Sequence, residues 1–507
     1  MDAPEKMISV YVVLRGDPAV QTVLEARSPS LRRSTVSVKQ RISQIRTQQE
    51  SVLTQLRFLG ARNSFSYRRL ANAIQVRLPI SSLPELRSMP EILRIDPVTL
   101  HKIALDSSVP YTGAPVVWGS GGFSRDGSGI TIGVIDTGID YTHANLRGSG
   151  LVSDFEGNDP DVIEPGTFPN TKVVGGHDFV GNSYDASSND PGINTAIPDS
   201  DPLDCNGHGT HVSGSAAAQG ILAGEGFGGP YREGLDLAQF EIAPGVAPGA
   251  ELHALKVFGC RGASLLVMAA LEYASDPNGD GDFGDRLDVV NLSVGVAFAN
   301  GIDSSETEVE IIQNLVDLGP PAVAAAGNNG NTFYAVTAPG MAPSAISVAA
   351  LDDAGSVLGE ADLIRDFSSR GPSARGNVLK PELSAPEFDI LSSVGGTGTG
   401  GRARRGTSFS SPHVAGMAAL LRQRHPDWTA EQIKAALMNT AGVMFDAGGN
   451  RYPESLAGAD RAQVDRAAQT VVTIASQDSQ GKISLSLGNL SLSQFYSKDH
   501  TVVLNES

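Results

Sequence analysis

The chain has 507 residues, 40% hydrophobic and 19% charged, with two cysteines and a formal net charge of −18. A core of ordinary size is within reach, so bulk disorder is excluded, and no run of 18 apolar residues is present to span a bilayer. Charge is unevenly divided: residues 1–104 carry 16 Lys and Arg against 8 Asp and Glu, the remainder 22 against 48. A segment of net +8 joined to a remainder of net −26 favours attraction within the chain and disfavours nucleic acid as a partner.

In chain order, the opening MDAPEKMISVYVVLRG does not have the pattern of a secretion leader. Its apolar run, Met7–Leu14, is short and leads into Arg15 and Asp17, not a small-residue cleavage site. The alternation in Ile8–Leu14 predicts a strand. Ser37–Leu59 predicts a helix, with Val38, Ile42, Ile45, Val52, Leu53, Leu56 and Leu59 mostly on one face. Asn72–Leu78 and Ile92–Ile95 predict further strands, and Ser81-Ser-Leu-Pro-Glu-Leu a short helix begun by a serine cap. Residues 7–100 thus read as a small α+β unit.

Beyond Ser108 the pattern changes. Apolar runs at Ile130–Ile135, Leu252–Phe258, Val289–Val294, Ala322–Ala326 and Ile346–Ala350 predict strands buried on both faces, as in a parallel sheet. Helices are predicted between them at Ala263–Ser275 and Glu306–Leu318, and after them at Ser408–His425 and Thr429–Thr440. The acidic, turn-rich stretch Ser153–Asp204 predicts surface loops with a hairpin around Val173–Phe179. After Thr470 the chain turns polar and alternating, as in Val471–Ile474 and Lys482–Leu487, and predicts the start of a β domain.

Three motifs carry chemistry. Asp136 lies in GVIDTGID, at the end of a predicted strand, where ligands of open α/β sheets bind. His208 lies in NGHGTHVSG and Ser408 in GTSFSSPHVAG. Each sits among glycines and small residues that let backbone turn tightly and substrate approach. A serine hydroxyl needs an adjacent base to act as a nucleophile. A histidine titrating near 6.5 can take that proton and return it, and a carboxylate can hold the imidazole. Asn328 follows the run PAVAAAG and can donate an amide hydrogen to a developing oxyanion. Taken singly these residues have plain readings: Ser408 as a helix cap, Asp136 and Asn328 as turn residues. His208 and His211 lack the spacing and glutamate of a zinc-protease helix, and an aspartic protease would need a second DTG motif. His143 and His413 read as structural.

Together, in the order Asp, His, Ser, the motifs resemble those of subtilases, the subtilisin-like serine endopeptidases, from about Val116 to Ala467. The resemblance implies an α/β, three-layer fold with a mostly parallel central sheet over 108–467. It implies an inhibitor-type propeptide over 1–104 and a truncated fibronectin type III-like segment over 468–507. It implies Asp136, His208, Ser408 and Asn328 as catalytic residues and protein or peptide substrates. Asn291, Ser293 and Gly295 would form the substrate-pairing strand, opposite a primary pocket lined by Ala325, Ala326 and Gly327, with its base near Val336–Thr337. Ser410 departs from the family's usual alanine. The alternative class is a catalytically silent binding or adhesin-like protein on the same fold. The expected setting is extracellular, the leader having been removed, with the propeptide as intramolecular inhibitor and neither nucleic acid nor a membrane span involved.

Asp276-Pro-Asn-Gly-Asp-Gly-Asp-Phe-Gly-Asp285 places oxygen ligands at alternate positions. Structural Ca2+ is expected at Asp276, Asn278, Asp280, Asp282 and Asp285, although Leu287 at the twelfth position rules out a full EF-hand. Similar subtilases often carry cysteines where Cys205 and Cys260 stand. A disulfide is the expectation for an exported protein, and two buried thiols the alternative.

Overall fold

The computed structural model describes residues 7–17, 38–68, 72–97, 105–119, 125–280, 283–295, 306–354, 362–374, 376–476, 483–484 and 501–506. The chain forms two compact units, Met1–His101 and Lys102–Ser507.

In the first unit the alternating run becomes strand β1, Met7–Leu14. Helix α1, Val38–Phe58, follows, then strands β2, Arg62–Tyr67, and β3, Ala73–Pro79. Helix α2, Leu83–Ser88, and strand β4, Ile92–Pro97, complete it. The strands make one antiparallel sheet in the order β2-β3-β1-β4. Ile45, Gln49, Val52 and Leu56 form the buried stripe of α1, at the spacing that keeps one helical face inward. Val52 and Leu56 pack with Val10, Val12, Ile74, Val76 and Leu78. Burial of each such aliphatic side chain contributes about 1.5–3 kcal/mol. Gln49 Nε2 donates to Asn72 Oδ1 (3.2 Å) and to the Ala73 carbonyl (3.3 Å), tying α1 to β3. The expected serine cap is absent from α2. Ser82 continues a 3-10 turn in helical conformation, and its Oγ donates back to the Leu59 carbonyl at 2.9 Å.

In the second unit the strands are β5, Thr131–Asp136; β6, Val173–Asp178; β7, Glu251–Lys256; β8, Val289–Leu292; β9, Ala322–Ala325; β10, Ile346–Asp352; β11, Leu363–Ile364; and β12, Leu383–Pro386. Their order is β11-β10-β9-β8-β5-β7-β6, with β12 also beside β10. Every pairing is parallel except β10 with β11. Helices α3, His208–Ala217; α4, Val267–Ser275; α5, Glu306–Leu318; α6, Thr407–Arg424; and α7, Ala430–Asn439, accompany them.

Strand side chains alternate between two cores, which is why these strands read as continuous apolar runs. Ile132, Val134, Leu252, Ala254, Val289 and Val323 face α3 and α6. Ile135, Leu255, Val290, Leu292, Ala322 and Ala324 face α4 and α5. The result is the expected three-layer α/β arrangement. The predicted hairpin at Val173–Phe179 is instead β6, an edge strand parallel to β7. Its partner lies 78 residues away, as in Asp178 with Lys256, so local alternation could not indicate the pairing. The antiparallel pair β13, Ile390–Ser393, and β14, Gly401–Arg404, was not predicted, being too short for a readable period.

At the carboxyl end, β15, Val472–Ser476, pairs antiparallel with β16, Val502–Glu506. The Ile474 N–H donates to Asn439 Oδ1 (2.7 Å), which anchors the pair to the end of α7. Lys482 and residues 485–500 lie outside the described residues.

Candidate active site

Asp136 is the last residue of β5, a strand interior to the sheet, and is buried. Its Oδ1 accepts the Thr137 N–H (2.8 Å) and His208 Nδ1–H (2.7 Å). Lys256, in register with Asp136, turns to the other neighbour and pairs with buried Asp178 at 2.6 Å. Asp136 is thus left to the imidazole.

His208 opens α3 after Gly207, which has a left-handed backbone (φ 86°). The helix start rests on the DTG turn: a Cβ on Gly209 would lie 2.2 Å from the Gly138 carbonyl oxygen, so glycine is required there. Buried Asp204 binds the two segments together. Its Oδ1 accepts Thr137 Oγ1 and the Asn206 and Gly207 N–H groups, and its Oδ2 accepts the Thr210 N–H and Oγ1. Thr137 Oγ1 in turn accepts the Gly209 N–H at 2.9 Å. Sequence reasoning missed Asp204. The available signal was an aspartate four residues before a helix-opening histidine, a position suited to capping. Burial pushes the His208 imidazole down. The charge and hydrogen bond of Asp136, aided by Asp204 and opposed by Arg404, outweigh it and leave the group above its ordinary value.

Ser408 is the second residue of α6, after Gly406 as N-cap. The Phe409 ring lies 5.3 Å from the His208 ring and 4.6 Å from His211, so the starts of α6 and α3 meet. Pro412 has no N–H to donate to the Ser408 carbonyl four residues back. Ser293 Oγ donates to that carbonyl instead, at 2.7 Å, while accepting Asn291 Nδ2 at 2.9 Å and touching Ser411 Oγ at 2.9 Å. Asn291 and Ser293 are buried. Their side chains brace the turn that carries Ser408, and Gly295 alone of the three is exposed.

Asn328 is exposed, and Thr407 sets the direction of its amide. Asn328 Oδ1 accepts both the Thr407 N–H and Thr407 Oγ1 at 3.1 Å. The carbonyl end is therefore engaged, and the Nδ2 hydrogens remain to donate. Ala325, Ala326 and Gly327 are buried at the end of β9. Cβ atoms built on Gly295 and on Gly327 would each lie 2.9 Å from Thr337 Oγ1. The two glycines thus make room for the close approach of a buried hydroxyl that has no hydrogen-bonding partner among the described residues.

The remaining candidates are placed as follows. His211 is buried, its Nε2–H donates to the Ile390 and Arg402 carbonyls at 2.9 Å, and burial pushes it down to about 3, so it is a neutral structural histidine. His143 bonds the Gly400 carbonyl and the Asn145 N–H, and His413 the Phe409 carbonyl. Cys205 and Cys260 form a disulfide, S–S 2.07 Å, just ahead of α3. In the acidic loop, Asp276 Oδ1 and Asn278 Oδ1 both accept the Asp280 N–H (3.2 and 2.8 Å), and Asp285 Oδ2 accepts the Asn278 N–H. Asp282 lies outside the described residues. These oxygens suit calcium in kind, but the described residues contain no group of three or more carboxylate, histidine or cysteine ligands gathered around one point.

A buried carboxylate bonded to a helix-opening histidine, a serine on the facing helix and an oriented amide are the kinds of group a serine hydrolase uses, here on a three-layer α/β fold. The subtilase family model matches residues 127–480, and the chain belongs to that family. It is 24% identical to the minor extracellular protease Vpr of Bacillus subtilis over 78% of this chain and 60% of that protein. It is 28% identical to the serine protease AprX of Bacillus subtilis, over 65% of each. It is also 28% identical to subtilisin E of Bacillus subtilis, over 74% of this chain and 76% of that protein. The chain thus spans less than two thirds of the length of the first two relatives. No helix among the described residues is long and apolar enough to cross a membrane.

Proposed function

We propose that the chain is a serine endopeptidase made as a zymogen. The observation that carries this reading is the buried Asp136–His208 bond of 2.7 Å, beside a start of α6 whose Thr407 turns the Asn328 amide outward. Ser408 Oγ attacks the scissile carbonyl as His208 takes its proton, with Asp136 stabilising the imidazolium. Asn328 Nδ2 donates to the oxyanion. His208 then protonates the leaving amine, leaving an acyl group on Ser408 that water removes by the same steps in reverse.

The first unit acts in this reading as an inhibitory propeptide. Support comes from its α+β fold and its net +8 against −26 for the rest. Ser408 cuts the junction between His101 and Asp106 in cis, where tethering supplies a high effective concentration; residues 98–104 lie outside the described set. The disulfide supports an oxidising, extracellular setting. Calcium at Asp276, Asn278 and Asp280 belongs to the same proposal, and EDTA is expected to lower the melting temperature of wild type but not of Asp280→Ala.

The deciding experiment is casein hydrolysis by purified protein, with and without a fluorophosphonate, together with N-terminal sequencing of wild type and Ser408→Ala. Labelled Ser408, hydrolysis lost on labelling, and an unprocessed Ser408→Ala chain are expected. Protein that neither hydrolyses casein nor takes up the label would be a silent binding protein. Identical processing of Ser408→Ala would show that maturation is not autocatalytic.

A further inference from the structure

Glu387 follows β12 directly and is fully buried, yet the mechanism above makes no use of it. Its N–H donates to the Leu351 carbonyl at 2.9 Å, which fixes its backbone against the end of β10. Its Oε2 accepts the Gly406 N–H at 2.8 Å. Its Oε1 has no hydrogen-bonding partner among the described residues, and Arg365 Nε stands 3.5 Å from it. The other charged groups facing it are Asp352, paired with Arg365 at 2.9 Å, and exposed Arg405 just before α6. Both guanidinium groups lie over the Phe388 ring, at 4.6 and 5.4 Å. A carboxyl shut away from water with one hydrogen bond is costly as an anion. Burial accordingly outweighs Gly406 and Arg365 and pushes it up to about 7.

What Glu387 grips is the entry to the catalytic turn. Gly406, the N-cap of α6, has φ 135°, a backbone that favours glycine. A Cβ on it would lie 3.7 Å from Asn328 Nδ2 and 3.8 Å from Asn328 Oδ1, so this residue lies beside the amide. Its carbonyl accepts the Phe409 N–H at 2.8 Å, closing the turn around Ser408. The next residue, Thr407, directs the Asn328 amide. The bond from Glu387 thus ends one residue from the group that aims the oxyanion donor and two from the nucleophile. Ser293 braces the same turn through the Ser408 carbonyl, with no titrating group. An ionised carboxylate holds an N–H about twice as strongly as a neutral acceptor does.

We infer that Glu387 is a positioning residue whose ionised form, through Gly406, holds the Ser408 turn and the Asn328 amide in place for the chemical step. The inference rests on the proteolytic reading above. It sets activity against stability. The ionised form is the one that burial penalises, so the charge that tightens the turn weakens the fold. A merely structural residue would move both in the same direction.

The test compares kcat and KM of processed wild type and Glu387→Gln on one peptide anilide from pH 5.5 to pH 8.5. Glutamine keeps the shape and a carbonyl acceptor and never ionises. His208 titrates in both enzymes, so the ratio of kcat values, wild type over variant, removes its contribution. That ratio should be about one at pH 5.5 and rise to about 3–10 at pH 8.5, the factor by which a charge-assisted hydrogen bond outweighs a neutral one. Its midpoint should fall near 7, and the ratio of KM values should stay flat. Arg365→Met removes the nearest cation and leaves Asp352 without its partner, so the midpoint of its kcat profile should move to higher pH. That variant also decides the matter if Glu387→Gln does not fold. A kcat ratio constant across the range, or an Arg365→Met profile that superposes on wild type, would overturn the inference and leave the protease reading standing. Wild type that cuts no peptide, with Ser408 unlabelled by fluorophosphonate, would overturn both.

Discussion

The two halves of the candidate site are built differently. The half expected to take the acyl side of a substrate, between Gly295, Gly327 and Thr337, is shaped by the side chains two glycines lack. The half around His208, which protonates the leaving amine in the proposed mechanism, holds Asp136, Asp204 and Arg404 within one network of bonds and fields. Shape discriminates among neutral groups only modestly, while fixed charges steer protons and orient a substrate. A peptidase needs both, because only the leaving amine exchanges a proton on departure. Ser408 stands between the halves: its carbonyl is braced from β8 by Ser293, and its helix meets α3 through Phe409.

The largest expected effect removes what both halves serve. Ser408→Ala should lower kcat by about 10⁶-fold, a magnitude known from subtilisin, a relative, and not deduced from this geometry. Its far-ultraviolet circular dichroism should be unchanged. Retention of even a hundredth of wild-type turnover would remove Ser408 from the mechanism.

Asn328→Ala takes one donor from the acyl half without touching the charged half. A loss of about 10²–10³ in kcat with KM little changed is expected, again a magnitude measured in subtilisin. A change confined to KM would place Asn328 in ground-state binding.

Gly295→Val perturbs the first half directly, since its Cβ would press on Thr337 Oγ1. Peptides with Phe or Leu before the scissile bond should lose about tenfold or more in kcat/KM relative to Ala. Equal losses for the Ala peptide would show that Gly295 does not set this preference.

The smallest effect concerns the support of the nucleophile turn. Buried Glu387 Oε2 accepts the Gly406 N–H at 2.8 Å. Burial pushes this carboxyl up to about 7, against partial relief from Gly406 and Arg365. A raised folded value means that its contribution to stability is full below the ordinary carboxyl range and is lost as pH rises through about 7. Glu387→Gln keeps a carbonyl acceptor but stays neutral. Its melting temperature should therefore fall less than that of wild type between pH 5 and pH 8, by about 1–3 °C. Parallel curves would show that Glu387 does not titrate in that window. Other carboxyls, such as half-buried Asp199, which burial pushes up to about 6, shift in both proteins and cancel in the difference.

The amino-acid sequence by itself singled out Asp136, His208, Ser408 and Asn328 as the candidate acid, base, nucleophile and oxyanion donor. Each lies in a short motif whose glycines are demanded locally, as Gly209 is by the Gly138 carbonyl. It also determined the doubly buried strands and the helix faces, because their periods repeat within one element. Tertiary structure alone decided what joins residues far apart. Ser293 reaches the Ser408 carbonyl across 115 positions, and Thr137 reaches Asp204 across 67. The direction of β6, the burial of Asn291, the hydroxyl between two glycines and the placing of Arg404 beside Gly207 belong to the same class. The physical reason is common to all: a hydrogen bond or a field acts between neighbours in space, and nothing in a residue's own few turns of chain records which distant group will supply its partner.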